Sequence, residues 1–266
     1  MYEGGGMRFS SFSLSKVFAG LIFSLLLLLK QPAASAETLT LLADEWFPIN
    51  ANSKSELQGF GIDFLKEIFK KKNIVIDYKI TPWERSLAEV EKGKADCVIG
   101  AYKEDAPGFI FPEEPIIRDQ QGVFSLKSVP VEYKNLDSLL TLQVGLVSSY
   151  SYGQEIDDFL VLHKGAGFAQ YAVGDKPLQT NIKKLIAGRI NAIIESKIVM
   201  NATLAQLKLD DKVEMLSSIG GITDIYIACS PVRETSKKYV QIWDEGMRAL
   251  KASGEMKTIL ARYGLK

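Results

Sequence analysis

One element written twice constrains this chain most. "VEKGKADCVIG" at residues 90–100 returns as "LIAGRINAIIE" at residues 185–195. Each copy ends a helix, passes a Gly and a basic residue, takes one small step to Asp or Asn, and enters an apolar strand. Short apolar strands alternating with amphipathic helices build right-handed βαβ units around a parallel sheet. Between the copies, "KEDAPGFIFPEEPIIRDQQ" loses all periodicity and carries three prolines. The chain is therefore expected to form two α/β lobes rather than one long sheet. The copies differ at their last position, where one has Gly100 and the other Glu195.

The first series reads "TLTLLA" as strand, "GIDFLKEIFKKK" as helix, "NIVIDYKI" as an alternating strand, "TPWERSLAEVEKG" as helix and "ADCVIGAY" as strand. Thr81, Pro82 and Glu84 have the spacing of a helix-capping box, with Gly93 as the stop. "GVFSLKS" is expected to be a lone strand. The second series runs through "LQVGLV", "YGQEIDDFLVL", "FAQYAV", "LQTNIKKLIAG", "INAIIE" and "KIVMNATLAQL". Two further strands, near "VEML" and at "IYIACS", are separated by "SSIGGITD". Two closing helices, with Val240, Trp243, Met247 and Leu250 on one face, need the core of the first lobe. The expected organisation is a leader at 1–36, lobe one from 37–122 with 225–266, and lobe two from 123–224. Two strand crossings between lobes make a hinge.

The leader is read from Arg8 and Lys16, an apolar run from Val17 to Leu29, and Ala34-Ser35-Ala36. A basic start, a short apolar stretch and a small-residue site describe a cleavable secretory signal. The run falls short of the roughly 20 apolar residues that span a bilayer. The mature chain is expected to be soluble, periplasmic and monomeric.

Charge narrows the function further. Basic and acidic residues balance at 32 each, which argues against a nucleic-acid binder, for such a protein shows a basic face. Lys70-Lys71-Lys72 sits at a helix end, where it complements the helix dipole. His163 is the one histidine. A multi-histidine metal site is thereby excluded, and no catalytic residue, metal or cofactor is expected. Cys97 and Cys229 lie in apolar strands and are expected to be buried free thiols, although a bond between adjacent strands is open to them.

In open parallel sheets ligands bind beyond the carboxyl ends of the strands. If two lobes face each other there, the cleft wall can be named. Lobe one supplies Asp44, Glu45, Trp46 and Phe47 after the first strand, Trp83 and Arg85 in a helix's first turn, and Ala101 and Tyr102 after the third strand. Lobe two supplies Ser148, Ser149, Tyr150 and Ser151, then Glu195. Glu195 is positioned to meet a cation, and Arg85 offers a fork for a carboxylate unless it pairs with Glu89 four residues on. The aromatic rings of Trp46, Trp83 and Tyr102 would cover a solute. "SSYSYG" offers hydroxyls and a helix N-terminus suited to an anion. Asp96 and Asn191, at the amino ends of their strands, read as turn residues bonding local backbone.

These segments in this order, "LLADEWFPIN", "QGFGIDFLKEIF", "WERSLAEVEKGKADCVIGAY", "LIAGRINAIIES" and "MRALKASGEMKTILARYG", resemble the bacterial extracellular solute-binding proteins of family 3, the amino-acid-type receptors of ABC importers. The resemblance covers essentially the whole mature chain. It implies a two-lobed periplasmic-binding-protein type II fold that closes on a small-molecule solute and delivers it to an inner-membrane ABC importer permease. It also implies that the acidic residue after the second-lobe strand, here Glu195, takes an amino acid's ammonium. The family's carboxylate-binding Arg follows the third strand. Here that segment reads "YKEDAPGFIFPEEP" and has none. Either Arg85 substitutes from the neighbouring helix, or the ligand lacks an α-carboxylate. The rival readings are a same-fold periplasmic enzyme of dehydratase type and a ligand sensor for a membrane signalling protein.

Overall fold

A computed structural model describes residues 1–7 and 36–265. The leader's apolar run lies outside the described residues. Among those described, no helix is long and apolar enough to cross a membrane.

The chain alternates as expected. Strand β1 (Glu37–Ala43) is followed by α1 (Phe60–Lys70), β2 (Ile74–Ile80), α2 (Trp83–Glu91) and β3 (Cys97–Ala101). Then come β4 (Ile117–Leu126), β5 (Val144–Val147), α3 (Gln154–Leu162), β6 (Ala169–Ala172), α4 (Pro177–Ile186), β7 (Ala192–Ser196), α5 (Lys197–Leu207) and β8 (Val213–Cys229). Helices α6 (Thr235–Ser253) and α7 (Glu255–Ala261) close the chain.

The strands run in the order β2-β1-β3-β8-β4-β7-β5-β6. Parallel pairs gather at the two ends: β1 with β2 and β3, and β5 with β6 and β7. The antiparallel pair β4 and β8 joins these two groups. The last residues of β8 pair with β3, whereas Gln121–Phe124 of β4 pair with β7. Between those stretches the β4–β8 register slips at Gln120 and Gln121, opposite Gly220-Gly221. A bulge of this kind bends a strand pair and raises its twist. The strands form a single eight-stranded sheet, so the two parallel groups are continuous through the β4–β8 pair, where the sequence leads one to expect two lobes rather than one long sheet.

Three local expectations are corrected. The strands expected near "VEML" and "IYIACS" are one, the 17-residue β8, because β4 pairs along "SSIGGITD" as well. Its partner β4 begins at Ile117, inside the stretch that shows no periodicity in sequence. The box expected at Thr81 does not form. Pro82 is the N-cap of α2 and no side chain caps it, since the helix starts one residue later than the spacing suggests. Finally, Cys97 and Cys229 are bonded rather than free. They face each other across β3 and β8 with Cα atoms 4.0 Å apart. The Cys229 backbone pairs with Ile110 on its other side, and the closest antiparallel approach occurs at such non-hydrogen-bonded positions.

The closing helices pack on the first group, as their apolar face requires. Trp243 and Met247 of α6 are fully buried, and Gly246 lets α6 approach Ile68 of α1 so closely that a Cβ would lie 2.4 Å from its methyl group. Beyond α7, the Tyr263 hydroxyl donates to Asp63 at the start of α1. The closing helices thus cover the first parallel group.

Candidate functional site

Trp46 occupies the centre. The chain leaves β1 at Ala43 and turns, so the Trp46 ring stands over Gly100 near the end of β3. A Cβ on Gly100 would sit 3.3 Å from that ring and 2.9 Å from Asn50 Oδ1, and Gly100 has φ of +92°. Only a residue without a side chain meets both demands cheaply. From the other group, Glu195 of β7 accepts a hydrogen bond from Trp46 Nε1 at 2.9 Å and one from the Ser196 amide at 2.8 Å. The two ends of the repeated element therefore converge on one indole.

Aromatic rings close around it. Tyr102 and Tyr150 meet Trp46 edge to face at 6.1 and 6.2 Å, and Tyr150 meets Trp83 at 6.2 Å. Trp83 is 5% exposed and its Nε1 finds no partner among the described residues. Asp44, Trp46, Trp83, Gly100, Tyr102 and Tyr150 line a cavity of about 10 Å³, room for about one water. The Tyr150 ring packs edge to face against both indoles.

The inner wall is acidic. Tyr150 donates its hydroxyl to Asp44, and the Ser151 amide donates to Asp105 at 2.6 Å, so carboxylates of the first group accept from the second. Burial pushes the Asp44 carboxyl up to about 7, and those of Asp105 and Glu195 up to about 8. Asp119 is raised by burial too. Burial also holds Tyr102, Tyr150 and Tyr152 well above the usual phenol range. Glu195 is 1% exposed, and its Oε2 has no partner among the described residues.

Of the residues named from sequence, Trp46, Trp83, Tyr102, Tyr150 and Glu195 come together here. Ala101 is buried behind Trp83. Ser148 lies on a neighbouring recess with Trp83, and Ser149 points to solvent with φ of +62°. Glu45 and Phe47 line a separate outer groove of about 520 Å³, where Glu45 pairs with Lys176 at 3.1 Å. Arg85 corrects the expectation that it would share the gap with Glu195. Its side chain is 70% exposed and pairs with Glu89 at 2.7 Å. At 3.6 residues per turn, a helix that turns Trp83 inward turns Arg85, two positions on, outward. The anion cradle expected in "SSYSYG" also differs: Asp105 holds the Ser151 amide, and Asp157 holds the Tyr152 amide at 2.9 Å. His163 caps α3, its Nδ1 against the Phe159 carbonyl at 2.9 Å.

Sequence reasoning missed Asp105, Asp119, Gln121 and Tyr152. Asp105 had a signal, since "EDAPG" is a turn and Asp favours bonding nearby amides; it accepts from Tyr102 N at 2.8 Å. Gln121, which donates to the Tyr102 hydroxyl at 3.0 Å, had none.

Comparison with known proteins adds to this geometry. The family described as bacterial extracellular solute-binding proteins, family 3, matches residues 40–266. Among solved structures, an ancestral arginine-binding protein bound to arginine is 20% identical, covers 85% of this chain and 97% of its own, and has a TM-score of 0.71. The P235GK mutant of the arginine-binding protein from T. maritima is 16% identical over 86% and 95%, with a TM-score of 0.71. A histidine kinase sensor domain with similarity to periplasmic binding proteins is 14% identical over 85% and 95%, at 0.72. No curated protein sequence matches the chain.

Proposed function

Because this chain belongs to the bacterial extracellular solute-binding proteins of family 3, we propose that it is a periplasmic receptor that captures a small polar solute between its lobes and hands it to an ABC importer permease. Lobe one is residues 37–122 with 225–266, and lobe two is 123–224. The solute is enclosed by Trp46, Trp83, Tyr102, Tyr150 and Glu195. The observation that carries this reading is the buried Glu195, held on one oxygen by Trp46 from the facing wall and unpartnered on the other. A buried carboxylate with a free oxygen is costly unless a partner arrives.

Capture needs opening, since the closed cavity holds about one water. The β4–β8 bulge supports hinging there. Solute binds whichever arrangement gives it more contacts, and its differential affinity sets the shift to the closed form. The disulfide supports export, because such bonds persist in oxidising compartments.

Native mass spectrometry of freshly purified protein tests the reading. A co-purifying small molecule, released on denaturation and rebound in calorimetry, is expected. Conversion of that molecule into a product would replace the receptor by an enzyme, and absence of any bound or rebinding solute would end the proposal.

A further inference from the structure

We infer that the solute is an organic cation without a carboxylate, its ammonium group held between Glu195, Asp44 and the faces of the surrounding aromatic rings. This deepens, and rests on, the solute-binding reading of the cleft.

Three observations carry it. The first is the sign of the charges. Asp44, Asp119 and Glu195 are buried and Asp105 half-buried. Among the described residues, no lysine or arginine is buried. Cations near the cleft are engaged elsewhere: Arg85 with Glu89, Lys176 with Glu45 in the outer groove, and Lys197 with Gln120 and Ser218. A carboxylate-bearing solute would enter a site whose titratable groups are all acids and which offers it no buried cation, and an unpaired buried charge costs several kcal/mol.

The second is occupancy of the amide donors. Neutral N–H groups at the start of α3 could have received a solute carboxylate, yet the protein's own acids hold them. Asp105 bridges the Tyr102 and Ser151 amides, and Asp157 takes Tyr152 N. The Ser148 amide bonds the Ala172 carbonyl. Trp83 Nε1 and the Tyr102 hydroxyl, which accepts from Gln121, remain, and two neutral donors do not balance a buried carboxylate.

The third is the wall itself. Two indoles and two phenols surround the cavity, and aromatic faces attract ammonium groups, most strongly when water is excluded. Glu195 Oε2 is a fully buried acceptor awaiting a donor or a cation. Raised carboxyl pKa values agree with this picture, since a bound cation would favour the ionised forms.

Matched pairs differing in a carboxylate test the inference: choline against glycine betaine, agmatine against arginine, and putrescine against ornithine, each titrated by calorimetry into purified protein stripped of solute. In at least one pair the cation is expected to bind tenfold or more tightly than its carboxylated partner. In Asp105→Ala, which frees two amides, the preference should narrow by about threefold or more. Equal or tighter binding of the carboxylated member in every pair, or binding of no cation, overturns the inference. A co-purifying solute that bears a carboxylate would overturn it while leaving the receptor reading intact. Absence of any solute would remove both.

Discussion

Residues 93–101 and 188–196 are two versions of one element, and the structure lets their differences be read position by position. Asp96 and Asn191 do the same work. Asp96 accepts from the Thr40 amide of the neighbouring parallel strand at 2.8 Å, and Asn191 accepts from Gln143 N, beside β5, at 2.8 Å. Each ties the amino end of its own strand to the neighbouring parallel strand, so they bond across strands rather than only within a turn. One step on, Cys97 is cross-linked and Ala192 is not. At the carboxyl end the divergence is complete: Gly100 makes room for Trp46, and Glu195 grips its indole nitrogen. Shared positions tie neighbouring strands together, and the differing positions meet at Trp46. Under the proposed function the first copy is the seat of that indole and the second the contact to the solute.

Removing the cross-link should break the comparison most. The bond closes a loop spanning 132 residues, and for loops of that order the entropic stabilisation is about 5 kcal/mol. The Cys97→Ala/Cys229→Ala variant should melt about 10 °C lower by calorimetry. Solute affinity of the folded fraction should stay within about threefold, because neither cysteine lines the cavity. A melting point unchanged within error would show that the bond does not stabilise the first copy.

Glu195→Ala comes next. Loss of one charge-assisted contact to a desolvated ligand should weaken binding by about 100-fold, or about 2.7 kcal/mol. Glu195→Gln keeps the bond from Trp46 but not the charge, and should lose most of the same affinity. Full affinity in Glu195→Gln would mean that the second copy supplies shape and not charge. The counterpart, Gly100→Ala, acts on stability. It places a side chain at φ of +92° and against Trp46, which should cost about 2 kcal/mol and shift Trp fluorescence.

How much of this was legible beforehand follows from periodicity. Alternating helices and strands, the duplicated element and the closing amphipathic helices are written locally, so the fold and its two parallel groups could be read. That Trp46, Tyr102, Tyr150 and Glu195, which follow strand ends, would come together was legible for the same reason. Side chains placed by long-range register were not. Gln121 reaches Tyr102 because β4 pairs with β8, and the disulfide depends on a β3–β8 register absent from local pattern. Arg85 misled because its proximity in sequence to Trp83 hid an opposite direction on the helix.

Acid–base behaviour should sharpen the contrast between the seat of the indole and the contact to the solute. Asp44 faces Tyr150, Glu45 and Asp175; Glu195 faces Trp46, Asp119 and Asp44; Asp105 faces Ser151, Tyr102, Asp157 and Glu104. Their folded pKa values, about 7 and about 8, lie above those of an unfolded chain. Stability from such groups is complete below the unfolded value near 4 and is lost as pH rises through the folded value. The solute-free protein should therefore melt lower at pH 9 than at pH 6, by a few degrees for about 1–2 kcal/mol. Binding of a cation should run the other way, strengthening over the same range and releasing protons, measurable by calorimetry in buffers of different ionisation enthalpy. A melting point that rises from pH 6 to 9 would show that these carboxyls are ionised in the closed form.

The smallest expected effect belongs to Arg85, and its smallness is informative. The side chain is 70% exposed and its partner Glu89 lies on the same helix, an arrangement contributing about 0.3–0.5 kcal/mol. Arg85→Ala should change stability by no more than that, and solute affinity by less than about twofold. If opening of the lobes swung Arg85 into the cleft to meet a solute carboxylate, the same variant would lose far more, because Arg binds carboxylates through two donors. Trp83, two residues earlier, provides the control: Trp83→Ala should weaken binding by tenfold or more, since its ring lines the cavity and is 5% exposed. A large loss in Arg85→Ala would restore a carboxylate to the solute and turn the helix's outer face into part of the site. A silent Arg85 beside a sensitive Trp83 leaves Glu195, at the end of the second copy, as the principal acid the solute must answer.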